Sequence, residues 1–251
     1  MRNLKVVLAY DGAELFGWQV QPNLETVQGI LASAIGRLTG EKVLPQGSGR
    51  TDAGVHALAQ VATFSTESPI PVENLGKALN DILPAAIRVL EVAEVPPEFH
   101  ARKSARAKTY RYRIYRRAIC PPFLARYVWH YPYPLDEDAM GRAAGLVVGQ
   151  HDFTSFAAVD PERGLEEELV SNLRHIFASS WVREGEELVY TVRGSGFLHH
   201  MVRNLVGTFL LVGKGTLAGS DITRILEARD RSSAGATAPA GGLYLLAVEY
   251  E

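Results

Sequence analysis

The apolar run from Leu4 to Tyr10 predicts a strand, ended by the turn pair Asp11-Gly12. Behind it Val27, Ile30, Leu31, Ala34, Ile35 and Leu38 recur at helical spacing, with Thr26 placed to cap the helix and Gly40 to stop it. Extended segments follow at Lys42 to Gln46 and at Gln60 to Thr66; in the second, Val61, Thr63 and Ser65 alternate with Ala62, Phe64 and Thr66. A second helix fits Val72 to Ile82, closed by Pro84, and a strand fits Ile87 to Val95. The order β-α-β-β-α-β is the ferredoxin-like arrangement, in which two helices cover one face of a sheet.

The pattern restarts after Pro96-Pro97. Thr109 to Tyr115 sets Tyr110, Tyr112 and Ile114 against Arg111, Arg113 and Tyr115, a strand with an aromatic face and a basic face. Asp136 to Val148 reads as a helix with acids in its first turn, where the dipole favours them. Leu173 to Arg183 and Glu187 to Gly194 form a hairpin about Glu184-Gly185-Glu186. Phe197 to Val212 is helical, Ser220 caps a short helix, and Leu243 to Tyr250 closes as a strand. Ser232 to Gly242, rich in Ala, Gly and Ser, is expected to be a mobile surface loop. The architecture predicted is α+β: two ferredoxin-like halves, 1–98 and 99–251, with a merged, mainly antiparallel sheet, helices on one face and an active-site cleft between the halves.

Charge changes this picture. Residues 1–98 hold 7 basic and 11 acidic side chains, and residues 136–251 hold 10 and 17, whereas residues 99–135 hold 9 basic and no acidic ones. Twenty of the 26 basic residues are Arg, whose planar fork suits phosphate and stacks on bases. A net charge of −2 with one acid-free basic segment points to a polyanion partner, set against the plainer alternative of a solvated strand face. Cys120 is the sole cysteine, which excludes a disulfide scaffold and fits a reducing compartment. The most apolar window, Phe197 to Gly213, carries His199, His200, Arg203 and Asn204, so it does not read as a membrane span. The opening apolar stretch is too short for a signal peptide, and a soluble cytoplasmic protein is expected.

No GxxxxGK[ST], HExxH, GxSxG or CxxC motif occurs. His199 and His200 are adjacent, so on a helix they point about 100° apart and do not share a metal. No metal and no cofactor are expected. The segment Gly47-Ser48-Gly49-Arg50-Thr51-Asp52-Ala53-Gly54-Val55-His56-Ala57 stands out: its glycines let a ligand approach the backbone closely, around a single carboxylate. In a generic loop Asp52 would cap a turn.

GRTDAGVHA resembles the signature loop of the tRNA pseudouridine synthase A family. Tyr10-Asp11-Gly12 with Phe16-Gly17-Trp18-Gln19-Val20-Gln21-Pro22 is similar to its N-terminal motif, and Phe99-His100-Ala101-Arg102 with Lys108-Thr109-Tyr110-Arg111-Tyr112 to its central one. His151-Asp152-Phe153-Thr154-Ser155-Phe156, the stretch from Gly194 to Gly207, and Ala238-Pro239-Ala240-Gly241-Gly242-Leu243 complete the resemblance. Ser155, in place of an alanine, and an acidic loop at Glu162 to Glu168 depart from the pattern.

The resemblance implies isomerisation of uridine to pseudouridine at positions 38, 39 and 40 of the tRNA anticodon stem-loop, by a homodimer and without a cofactor. It makes Asp52 the catalytic carboxylate, either a nucleophile at C1′ or a base for the 2′ proton. It gives Arg203 as the cation paired with that carboxylate and Tyr110 as the active-site phenol, leaving Tyr112 to the core. Arg50 assists flipping of the base or contacts phosphate, and His56 is structural. Arg102, Lys103, Arg106, Lys108, Arg111 and Arg113, followed by Arg116 and Arg117, would hold the stem-loop phosphates. Two other classes compete: a non-catalytic tRNA-binding or RNA-chaperone protein, and a metal nuclease. The second asks for clustered carboxylates, which Asp52 lacks in sequence between Glu41 and Glu67.

Overall fold

The computed structural model describes residues 1–159 and 171–250; the acidic loop at Glu162 to Glu168 lies outside them. The chain divides into two compact units, Met1–Lys108 with Tyr244–Glu251, and Thr109–Leu243. The division falls inside a strand, not at Pro96-Pro97, and the C-terminal strand belongs with the first unit.

The first unit contains β1 (Arg2–Tyr10), α1 (Val27–Thr39), β2 (Gln46–Gly47), β3 (His56–Thr66), α2 (Val72–Ile82) and β4 (Ile87–Val95). β1 lies between β4 and β3 and is antiparallel to both, as the ferredoxin-like order requires. Thr26 caps α1 by accepting from the Gly29 amide, and Gly40 takes the left-handed conformation at φ 76° that ends it. Leu4, Val6 and Leu8 are buried along one face of β1, together with Leu31 and Ile35 of α1 and Leu75 and Leu79 of α2.

One expectation needs correction here. Residues 41–45 are not extended into a strand; Pro45 has no N–H for a ladder, and its carbonyl accepts from Gln28 Nε2 at 2.9 Å. β3 is also buried on both faces over Val61 to Phe64, since the Ala101 amide donates to Thr63 Oγ1 at 3.3 Å and covers the second face.

The second unit holds β5 (Ala107–Tyr115, from Thr109 on), β6 (Trp129–His130), α3 (Glu137–Gly145), β7 (Gly149–Asp152), β8 (Leu173–Glu184), β9 (Glu187–Gly194), α4 (Met201–Gly213) and α5 (Asp221–Ala228). Its strand order is β5-β9-β8-β7, with β6 beside β5, and the β7–β8 and β8–β9 pairs are antiparallel. β10 (Leu243–Glu249) returns to the first unit, where Tyr244 and Leu245 pair in parallel with His56 and Ala57 of β3. The mixed α+β class and the mainly antiparallel sheet are as expected.

Three boundaries differ. α3 stops at Gly145, short of Val148. α4 starts at Met201, four residues later than Phe197, because His200 sits at φ 57° and a left-handed residue cannot continue a right-handed helix. Ser220 makes no side-chain cap; Asp221 Oδ2 instead accepts from the Ala218 amide at 2.9 Å.

The expected mobile loop from Ser232 to Gly242 is pinned. Gly235 N donates to Thr208 Oγ1 (2.9 Å), Thr237 Oγ1 to Asn204 Oδ1 (2.7 Å), and Tyr112 Oη to the Pro239 carbonyl (2.7 Å). Its small residues serve close packing instead: a Cβ on Gly207 of α4 would stand 1.8 Å from the Ala236 carbonyl oxygen. Ser155, the departure from alanine, is fully buried and satisfied, donating to the Ile225 carbonyl and accepting from the Asp230 amide.

Candidate active site

The Asp52 loop joins β2 to β3, and the N-terminal segment 12–18 is laid against it backbone to backbone. Trp18 N donates to the Thr51 carbonyl (3.0 Å), Gly54 N to the Leu15 carbonyl (3.2 Å) and Val55 N to the Asp52 carbonyl (3.1 Å). Gly17, at φ 81°, has no room for a side chain, since a Cβ would lie 2.6 Å from the Thr51 oxygen. The Trp18 ring is buried against Gly47, whose Cβ would meet it at 2.5 Å. Two motifs that are separate in sequence therefore form one body, which holds the peptide groups flanking Asp52. Within it Thr51 and Val55 are buried, the Asp52 residue is half-buried and Arg50 is exposed.

Tyr10 of β1 lies behind the loop, its Oη 2.8 Å from Thr51 Oγ1. Burial pushes the Tyr10 phenol up to about 12, so it keeps its proton at neutral pH. His56 is buried: Gly12 N donates to its Nδ1 at 3.0 Å and its ring stacks on Tyr244 at 4.8 Å. The same nitrogen lies 3.2 Å from Asp11 Oδ1.

In the second unit Tyr110 of β5 is buried and meets Phe197 edge to face at 5.0 Å. Phe197 was not singled out in sequence; its place ahead of α4 in the Gly194–Gly207 stretch was the available signal. Tyr112 is fully buried, and that burial raises its phenol well above the usual range, against a smaller opposing effect of Arg203. Arg203 sits on α4, with Nε donating to the Ala238 carbonyl at 2.7 Å while Ala238 N donates to the Arg203 carbonyl at 3.1 Å. His199 and His200 precede the helix, and their rings lie 4.0 Å apart, so the 100° separation expected of them does not apply.

The basic segment is divided by its partners. Arg113 makes a two-pronged pair with Glu187 (2.7 and 2.6 Å), and Arg111 lies 3.8 Å from Glu184. Arg116 pairs with Glu137 at 3.4 Å, and Arg117 with Glu186. The β8–β9 turn thus returns the acids that the segment lacks in sequence. Lys108 Nζ donates to the Ser48 carbonyl at the base of the Asp52 loop. Arg102, Lys103 and Arg106 are exposed.

The model of a family described as tRNA pseudouridine synthase matches residues 6–102 and 143–251. The chain belongs to this family. Its tRNA pseudouridine synthase A relatives include one from Solibacter usitatus, 54% identical with all of both chains covered. Another, from Moorella thermoacetica, is 50% identical, covering 98% of this chain and 99% of its own. A third, from Caldicellulosiruptor bescii, is 45% identical over all of both chains. Members of the family are isomerases. The matched residues include Arg50, Asp52, Arg102 and Arg203, while Lys103, Arg106, Lys108, Tyr110, Arg111 and Arg113 fall between the two matched ranges and are covered by the full-length relatives.

Proposed function

We propose that this protein converts uridine to pseudouridine at positions 38, 39 and 40 of the tRNA anticodon stem-loop, with Asp52 as its catalytic carboxylate. The observation that carries this reading is the rigid double-backbone mount of residues 51–55 in a chain of this family. A carboxylate whose flanking backbone is held from both sides can meet C1′ of a bound nucleotide with little reorganisation of the loop. The C1′–N1 bond breaks, the uracil turns, and C5 joins C1′; C5 gives up its proton and N1 ends protonated, so no atoms are gained or lost. The balance needs no co-reactant, and the reading includes no metal and no cofactor. Asp52 attacks C1′ or removes the 2′ proton.

In this reading Tyr110 stacks on the detached uracil and assists loss of the C5 proton. Arg203 is the cation assigned to the reaction, and Arg50 takes the place of the extruded base. The RNA is held by a homodimer, in the cytoplasm. Among the described residues no helix is long and apolar enough to cross a membrane. The test is to map pseudouridine in unmodified tRNA transcripts after incubation with the enzyme. Pseudouridine confined to positions 38–40 is the expected result; none there, or pseudouridine elsewhere, overturns the assignment.

The phosphate contacts fall to Arg102, Lys103 and Arg106 rather than to Arg111 and Arg113, whose charges are matched by Glu184 and Glu187. Replacing the three exposed residues by Ala is expected to raise KM while leaving kcat nearly unchanged, and to reduce the log–log salt slope of tRNA binding by about 3, one for each lost phosphate contact. Titrations at several salt concentrations check this, with Arg111→Ala as the variant expected to leave the slope alone.

A further inference from the structure

We infer that Gln60, a buried amide on β3, is a positioning residue for Asp52, acting with Tyr10 as a clamp on the loop; this rests on the function proposed above. Gln60 is fully buried and makes bonds through both ends of its amide. Its Nε2 donates to the Gly49 carbonyl at 2.9 Å and, more weakly, to Tyr10 Oη at 3.4 Å. Its Oε1 accepts from Ser48 Oγ at 2.7 Å and from Val61 N at 3.1 Å. Two donor hydrogens and two acceptor sites are thereby all used, the full capacity of an amide.

The bonds form a chain. Tyr10 Oη accepts from Gln60 and shares a hydrogen bond with Thr51 Oγ1, 2.8 Å away. Ser48, Gly49 and Thr51 are thus tied to one buried side chain, on both sides of Arg50 and up to the residue before Asp52. Ser48, Thr51 and Tyr10 are themselves buried, so these bonds act in a low-dielectric setting where an unmatched group is costly. The backbone bonds from Leu15 and Trp18 fix the far side of the loop; the Gln60 clamp fixes the near side. In the sequence Gln60 shows as the one amide within Ala57-Leu58-Ala59-Gln60-Val61-Ala62, a polar group next to the stretch Val61 to Phe64 that is buried on both faces.

Gln60→Glu keeps the shape but sets a carboxylate oxygen against the Gly49 carbonyl where a donor stood. A misplacement of about 1 Å at the reacting atoms costs on the order of 100-fold in rate. Gln60→Glu is therefore expected to lower single-turnover kcat about 100-fold with tRNA binding unchanged. Tyr10→Phe removes only a hydroxyl and guards against a Gln60 variant that fails to fold; it is expected to lower kcat about 10-fold with KM and melting temperature near wild type. Because both act through one network, the double variant should be no slower than Gln60→Glu alone.

Rates are referred to the fraction of enzyme that binds tRNA, so that misfolded protein does not count as slow protein. Wild-type kcat per binding site in both variants, or effects that multiply in the double variant, overturns the clamp. Failure of wild type itself to form pseudouridine overturns instead the functional reading on which the clamp rests.

Discussion

Asp52→Asn is expected to bind tRNA as tightly as wild type and to isomerise it at least about 10⁴-fold more slowly, the upper range for loss of a positioned acid–base group. The substitution exchanges one oxygen for an NH2 group of nearly the same size. The bonds that hold the loop run through the Asp52 carbonyl, the Thr51 carbonyl and the amides of Trp18, Gly54 and Val55, none of which it touches. What disappears is the charge and the lone pair that a nucleophile or a base requires. Binding by filter retention and rate by single-turnover kinetics separate the two properties. A pure RNA binder would show no isomerisation in wild type either.

Gly12→Ala is expected to damage both fold and activity while touching no reacting group. A Cβ there would stand 2.0 Å from the Val55 carbonyl oxygen and 2.6 Å from its carbon, both backbone atoms with no rotamer to yield. Segment 12–18 must then lift from residues 51–55, which opens the mount on which Asp52 sits. Overpacking of this kind costs about 3 kcal/mol, or a fall of roughly 10 °C in melting temperature for a protein of this size. The activity that remains should fall about 100-fold through displacement of the loop. Gly141→Ala in α3 is the control: its Cβ would meet nothing within 4 Å, and the gain in helix propensity is about 1 kcal/mol in the stabilising direction. Equal melting temperatures for Gly12→Ala and wild type would contradict the close approach.

The elements that periodicity marks well are those whose neighbours repeat the pattern. α2 and β4 run over the residues read from sequence, because an amphipathic helix bounded by prolines and a strand after a turn carry their own limits. The misread segments are set by tertiary contact. Residues 232–242 look like a flexible linker in composition, yet Gly235 and its neighbours are small because the backbone of α4 at Gly207 passes against them. α4 looks helical from Phe197, yet the aromatic contact with Tyr110 and the left-handed His200 claim the first four residues for another purpose.

The basic segment shows the same limit in electrostatics. Nine uncompensated cations in sequence become, at Arg111, Arg113, Arg116 and Arg117, partners of acids that lie between 21 and 74 positions further along the chain. At the site itself the motif around Asp52 was legible and its support was not. Tyr10, Gln60 and Lys108 hold the loop through side-chain hydrogen bonds, which leave no periodic trace; only a buried amide in an apolar strand hinted at one of them.

Tritium release from tRNA carrying 5-tritiated uridine, comparing wild type with Asp52→Asn at matched binding-site concentration, decides whether Asp52 does the chemistry. Loss of the C5 hydrogen is intrinsic to joining C5 to C1′, so release is expected from wild type and not from the variant while both retain the tRNA. Equal release by the two would remove Asp52 from the chemistry, and release by neither, with tRNA bound by both, would contradict isomerisation by this protein.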